Sequence, residues 1–268
     1  APTPVAPPPP LSPPADSPVR REVETLLVNW PPNSNTILFT NFSVLYESTD
    51  RPNQVCKVPK PLPEFERAHE VERRIYRRLG EHPNLVKVIE MDQHGIWLER
   101  ALHGCLRQFN MEGGEATLLE RLQWCEDVAR VLDFVHGKNV RHADLSGRNL
   151  LVDAEKRILL CDFSGSSIDD EAATIMAENG YRHPDEIHTL GSTLYEIITG
   201  EEPHNGIEKE AIGKLLEQGK YADVADVPLG EIIRRCWDGG FNSALEVAEE
   251  IARYRKMNGQ IESCPPGL

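Results

Sequence analysis

Apolar positions follow two regimes along this chain, and the change comes near residue 102. From Thr36, in TILFTNFSVLYES and NQVCKVPK, β-branched and aromatic residues form short segments bounded by Asp, Pro and Asn, as half-buried strands do. PEFERAHEVERRIYRRLG switches to a helical period, and Gly80 is its predicted stop. Short strands return at NLVKVIEMD and GIWLERAL. Beyond Leu102 the pattern is mostly helical. In LLERLQWCEDVARVLDFVHG, Leu122, Cys125, Val128, Ala129, Leu132 and Val135 recur at helical spacing, with Gly137 as the stop. After the brief strands LLVD and ILLCD, helices are predicted at EIHTLGSTLYEIITG, around LGEIIRRCW and at SALEVAEEIARYRKM. A small strand-rich half thus precedes a larger helical half, an α+β arrangement without internal repeats. The opening stretch, APTPVAPPPPLSPPADSP, has no apolar period. Its prolines favour an extended or disordered arm, which serves as a linker or as a ligand for a proline-recognising module.

Composition narrows the function classes. A chain of 268 residues, 40% hydrophobic and 27% charged, can bury a sizeable core in one large domain or two lobes. The net charge of −14 argues against nucleic acid as a main partner, because phosphate backbones call for clustered Lys and Arg. Arg73, Arg74, Arg77 and Arg78 read as a solvated helix face. No apolar run reaches membrane-spanning length and no charged-then-apolar leader is visible, so a cytoplasmic or nuclear location is the expectation. The six cysteines show neither CxxC nor paired metal spacing, which fits buried thiols in a reducing compartment.

The chemistry concentrates in RHADLSGRNLLVD and LLCDFSGS. Asp144 and Asn149 lie just before an apolar strand, and Asp162 follows after two short strands that can return the chain to the same cleft. A solvated turn would account for Asp144 and Asn149. It does not require Asp162.

Four stretches in this order resemble a protein kinase catalytic domain: VCKVP around Lys57, EVERRIYRRL with Glu72, RHADLSGRN, and LLCDFSGS. The likeness continues through LGSTLYEIITGEEPH and IIRRCW and covers most of 36–256. These later segments are reminiscent of tyrosine-kinase-like and certain fungal kinases. The resemblance implies a bilobal fold: a small antiparallel sheet with one main helix over 19–101 and a mainly helical lobe over 102–258, flanked by the arm 1–18 and a tail 259–268. It further implies ATP and Mg²⁺ as cofactors and a protein substrate, with Ser or Thr favoured over Tyr. By the same likeness Lys57 holds the nucleotide phosphates and Glu72 aims Lys57. Asn149 and Asp162 are hard oxygen ligands for the cation, and Asp144 orients the attacking hydroxyl. Backbone groups near Glu99 and Ala101 meet adenine, with Leu98 gating the back of the pocket. His142 belongs to an internal stack with Phe163, Tyr76 and Leu106. Cys56 and Cys161, next to Lys57 and Asp162, are expected to border the nucleotide cleft as buried, inert thiols.

The chain departs from that pattern in several places. No glycine precedes Gly80, so the phosphate-covering segment FTNFSVLYE carries Thr, Asn and Ser, and a weaker or altered nucleotide grip is expected. Ala143 replaces the arginine before the catalytic aspartate, which disfavours control by activation-segment phosphorylation. Ser146 replaces a lysine, and Arg148 is expected to supply its charge. Ser164 replaces the glycine after Phe163, and YRHPDEIHTLG looks compressed. Three readings stay open: an active protein kinase, a pseudokinase acting as a binding or scaffold module, and a small-molecule phosphotransferase of the aminoglycoside-kinase type.

Overall fold

The computed structural model describes residues 30–169 and 185–262. The proline-rich arm, the compressed stretch 170–184 and the tail beyond 262 lie outside the described residues.

The strand-rich half is one antiparallel sheet. Strands β1 (Ser34–Phe39), β2 (Ser43–Ser48), β3 (Arg51–Pro59), β4 (Val88–Met91) and β5 (Ile96–Glu99) lie in the order β1-β2-β3-β5-β4. Register decides what each face does. Leu45, Lys57 and Ile96 are paired across three strands, as are Tyr46, Cys56 and Trp97. Because side chains alternate along a strand, the second set lies on the opposite face from the first. There Val44, Tyr46, Cys56, Val58 and Trp97 form a small separate core. The guanidinium of Arg51 lies 4.3 Å from the Trp97 ring centroid, a cation–π cover for that cluster. Gly95, before β5, makes the close approach possible, since a Cβ there would collide with the Lys57 carbonyl.

On the Lys57 face runs helix α1 (Pro63–Leu79). Proline at its start suits the first turn, where an N–H has no partner anyway. Gly80, at φ 67, closes it in a conformation that costs glycine least. Ala68, His69, Glu72, Ile75, Tyr76 and Leu79 are its buried positions, spaced three and four apart. Ile75, Tyr76 and Leu79 join Ile96 and Leu98 in the main core, which continues without a seam into the helical half.

That half is organised by α3 (Leu118–His136), whose Thr117–Glu120 capping box satisfies its first amides. All six periodic positions read from its sequence are buried. Helices α4 (Glu186–Thr199) and α7 (Ala244–Glu262) pack on it, and α2 (Leu106–Met111), α5 (Lys209–Glu217) and α6 (Gly230–Trp237) complete the half. Two antiparallel pairs, β6 (Val140–Arg141) with β9 (Ser167–Ile168) and β7 (Leu150–Val152) with β8 (Ile158–Leu160), carry the loops of interest. The sequence pattern does not reveal α2 or α5: one is under two turns long, and the other has a glycine inside it. Helix α7 also passes the 258 boundary drawn from the resemblance. No helix among the described residues is long and apolar enough to cross a membrane.

Candidate active site

Lys57, on β3, meets Glu72 from α1 and Asp162 from the segment after β8. Its Nζ donates to Glu72 Oε1 at 2.8 Å and to Asp162 Oδ1 at 2.7 Å. Lys57 and Glu72 are buried, 3% and 0% exposed. A buried ammonium needs paired charge to stay ionised. Burial alone would lower the Lys57 pKa, but Asp162 and Glu72 outweigh it and hold the ammonium above its ordinary range. Burial tends to raise Asp162 as well, yet Lys57 and hydrogen bonds from Ser164 bring it well below the usual carboxylate range. Glu72 moves up: full burial, with Asp162 nearby, exceeds the pull of Lys57. Asp162 is therefore firmly anionic and partly exposed, while Glu72 is an internal strut. Glu72 also accepts the Phe163 N–H at 3.0 Å, tying α1 to the Asp162 segment.

Ser164 adds a fourth member. Its hydroxyl accepts from Lys57 at 2.7 Å and donates to Asp162 Oδ1 at 2.5 Å, with Glu72 Oε2 at 3.3 Å. The sequence marks this residue only as a replaced glycine. Asp162 itself sits at φ 64, a left-handed backbone that costs an ordinary residue roughly 1–2 kcal/mol. In this conformation its carboxylate faces Lys57.

The loop 141–149 is shaped by buried carboxylates from α4. Ala143, also left-handed at φ 60, donates its N–H to Glu186 Oε1 at 2.6 Å, and Glu186 Oε2 lies 2.7 Å from His136 Nε2. Burial would raise the Glu186 pKa, but these hydrogen bonds pull it below its ordinary value. Glu196, 3% exposed, accepts the Gly147 N–H at 2.9 Å and two hydrogen bonds from the Arg107 guanidinium. A Cβ at Gly147 would collide with that carboxylate. Neither Glu186 nor Glu196 figures among the sequence candidates. An acid inside the apolar helical run EIHTLGSTLYEIITG is the signal that could have flagged Glu196.

Within the loop, Asn149 Nδ2 donates to the Asp144 carbonyl at 2.8 Å, and the Asn149 carbonyl accepts the Cys161 N–H at 2.9 Å. The amide of Asn149 is thereby set beside the start of the Asp162 segment. Asp144 is half-buried and Arg148 exposed. Among the described residues, no group of three or more His, Cys, Asp or Glu could hold a metal by itself. A pair of hard oxygen donors, Asp162 and the Asn149 side-chain carbonyl, instead suits Mg²⁺, which takes few protein ligands and completes its shell with phosphate and water.

Three rings stack behind the site. Tyr76 and His142 lie 5.2 and 4.9 Å from the Phe163 ring centroid, and Leu106 is fully buried in the same core. The expectation for Cys56 needs correction. It lies on the outer face with Trp97, away from the cleft, because adjacent strand residues face opposite sides. Burial pushes its thiol up to about 12. Cys161 lies in the main core, and burial raises its thiol well above the ordinary range.

Glu99 ends β5 and Ala101 follows it. The Glu99 N–H is taken by the Lys87 carbonyl, whereas the Ala101 N–H is taken by no group among the described residues. A groove of about 1040 Å³ reaches both residues and continues over Glu81, Lys87 and Arg157. It contains none of Lys57, Asp144, Asn149 or Asp162, so it lies apart from the charged centre.

Comparison with known proteins matches residues 57–247 to the family described as protein tyrosine and serine/threonine kinase. Mitogen-activated protein kinase kinase kinase 3 of Arabidopsis thaliana is 25% identical over 166 residues, 55% of this chain and 27% of that protein. Human receptor tyrosine-protein kinase erbB-4 is 23% identical over 209 residues, 66% of this chain and 15% of that protein. Salt tolerance receptor-like cytoplasmic kinase 1 of rice (Oryza sativa subsp. japonica) is 28% identical over 186 residues, 56% of this chain and 52% of that protein. The matched region thus spans between about a seventh and about half of these relatives.

Proposed function

Starting from the chain's membership of the protein tyrosine and serine/threonine kinase family, we propose that it transfers the γ-phosphoryl group of ATP to a hydroxyl of a protein substrate, Ser or Thr in preference to Tyr. The observation that carries this reading is the buried Lys57 shared between Glu72 at 2.8 Å and Asp162 at 2.7 Å. It offers a fixed positive charge for phosphates beside an anionic cation ligand. The lobes are read as 19–101 and 102–258, with the site at their junction.

Lys57 then holds the nucleotide phosphates and Glu72 fixes its position. Asp162 and Asn149 would hold Mg²⁺, which when bound neutralises charge on the phosphates. Asp144 orients the substrate hydroxyl and takes its proton as the new O–P bond forms. The bond from Pγ to the bridging oxygen breaks and ADP leaves with the electron pair. Arg148, exposed at the loop's edge, offsets charge on the moving phosphoryl group. Backbone groups at Glu99 and Ala101 receive adenine, an assignment supported by the unspent Ala101 N–H. The acidic net charge favours basic protein substrates. A cytoplasmic or nuclear site of action, and capture of the 1–18 arm by a proline-recognising module, belong to the same proposal.

A binding module without turnover is the second reading. The closed β1–β2 loop favours it, because Thr40 there takes amides that a phosphate could use. Thermal unfolding with ATP and Mg²⁺ tests both: ligand binding to the folded state raises the midpoint, and Asp162→Asn should remove the Mg²⁺-dependent part. Radiolabel transfer to a peptide library, lost in Asp144→Asn and Lys57→Met, supports the kinase reading. Stabilisation without transfer supports the module. Phosphate transfer only to small alcohols or amines moves the assignment to a small-molecule phosphotransferase, and no stabilisation at millimolar ATP overturns all nucleotide-based readings.

A further inference from the structure

The loop joining β1 to β2 is closed on itself. Thr40 Oγ1 accepts the Ser43 N–H at 2.9 Å and the Phe42 N–H at 3.3 Å, and the Thr40 N–H donates to the Ser43 carbonyl at 2.9 Å. Lys60, just past β3, donates its N–H to the Phe42 carbonyl at 3.0 Å. Its ammonium donates to the carbonyls of Thr40 at 2.6 Å and Asn41 at 3.2 Å. The Phe42 ring packs edge-on against Phe65 of α1, centroids 5.7 Å apart. Lys60 and helix α1 thus hold one short turn from outside.

Backbone N–H groups in a turn are the donors by which a loop grips phosphate. Here two successive amides are already spent on a neutral hydroxyl of the same loop, and the nearest cation is spent on two carbonyls. What the strand offers toward the cleft is apolar. Leu38 is registered opposite Leu45, which is in turn opposite Lys57 and so on the cleft face, and Leu38 is 53% exposed. Resting on the nucleotide-transfer reading above, we propose that Thr40 withholds the Phe42 and Ser43 amides of this loop from the nucleotide phosphates. Phosphate recognition falls to Lys57, Asp162 and the cation, and Thr40 sets that division.

Two measurements on the full chain test this. In nucleotide-free protein, the Phe42 and Ser43 amides should be protected from hydrogen exchange, and Thr40→Val, similar in shape but without the acceptor, should speed their exchange at least about tenfold. Calorimetric titration should show ATP binding Thr40→Val about tenfold more tightly than wild type, the scale of one charge-assisted hydrogen bond. Adenosine affinity should stay unchanged. Thr40→Gly should act in the same direction, which separates freed donors from any effect of valine itself. Unchanged exchange in Thr40→Val, equal ATP affinity in both variants, or a gain shared equally by adenosine overturns the inference alone. Amides protected as expected with neither adenosine nor ATP bound overturn the nucleotide reading, and this inference falls with it.

Discussion

The two sides of the cleft are held by different physics. Below, the loop 141–149 and the Asp162 segment are fixed by buried carboxylates reaching in from helices: Glu186 on Ala143, Glu196 on Gly147 and Glu72 on Phe163. Above, the β1–β2 loop is fixed by its own Thr40 hydroxyl, by Lys60 and by an edge-on pair of rings. Buried charge is costly to desolvate and costlier to leave unpaired. A loop held that way has one low-energy arrangement. Hydrogen bonds and aromatic contacts at a half-exposed turn contribute about 1 kcal/mol each, somewhat more where the Lys60 ammonium donates, so the upper loop opens more readily than one pinned by buried charge. Rigid placement of the charged groups under a compliant cover suits the nucleotide entry that the proposed function requires.

The largest effect should come from cutting a lower strut. Glu196→Ala leaves Arg107, among the described residues, with only the exposed Glu202 as a charged partner and strips the Gly147 N–H of its acceptor. Breaking a buried pair costs about 3–5 kcal/mol, and the surviving Glu202 contact points to the lower end. Urea unfolding at unchanged m should show a loss near 3 kcal/mol. Glu196→Gln, which can still accept from Gly147, should lose less. A loss within about 0.5 kcal/mol, typical of an exposed surface change, would erase the distinction between the two sides.

Helix α1 serves both sides, through Phe65 above and Glu72 below, and it carries an unpaired group. His69, one turn before Glu72, is 7% exposed and neither ring nitrogen has a hydrogen-bond partner in the described structure. Burial, with Arg73 and Lys57 nearby, lowers its pKa from 6.5 to about 3. The sign follows from proton uptake. Between pH 6.5 and 3 the unfolded chain binds a proton at His69 that the folded chain refuses, so stability falls as pH falls. From pH 7 to pH 5 this amounts to about 2 kcal/mol. His69→Leu should remove that part of the acid sensitivity, so the difference between its unfolding free energies at pH 7 and 5 should shrink by about 2 kcal/mol. Equal pH dependence in both proteins would show that His69 finds a partner in solution.

How far the sequence discloses this arrangement depends on the range of the interactions. Lys57 and Glu72 were legible through the resemblance of VCKVP and EVERRIYRRL to a kinase domain. The strand and helix patterns alone do not single them out among neighbouring lysines and glutamates, and the two do meet at 2.8 Å. Asp162 and Asn149 were legible from order and spacing, and α3 from its period alone. Cys56 was misplaced although the information was present: its neighbour Lys57 faces the cleft, and strand alternation sends Cys56 the other way. Glu196 was half-legible, an acid among apolar helix positions. The Thr40 cap and the Ser164 insertion were not. Each depends on a local backbone path, a tight turn in one case and the left-handed Asp162 in the other, that residue types do not announce.

Thr40 and Ser164 sharpen the contrast at its smallest scale, since both are hydroxyl residues where a glycine was the expectation or a candidate. Thr40 spends its oxygen on neutral amides. Ser164, 3% exposed, links Lys57 to Asp162 Oδ1. Under the proposed function, its hydroxyl proton and Mg²⁺ would draw on the same carboxylate. Ser164→Ala should lower the stability of the nucleotide-free protein by about 1 kcal/mol, one net hydrogen bond. The same change should let ATP-dependent stabilisation reach half its maximum at roughly a third of the Mg²⁺ concentration, a change of about 0.7 kcal/mol. Thermal unfolding across a Mg²⁺ series at fixed ATP reads both quantities, and they must move in opposite senses. If Ser164→Ala weakens the apo protein and also raises the Mg²⁺ requirement, the hydroxyl is helping to build the cation site instead of guarding it.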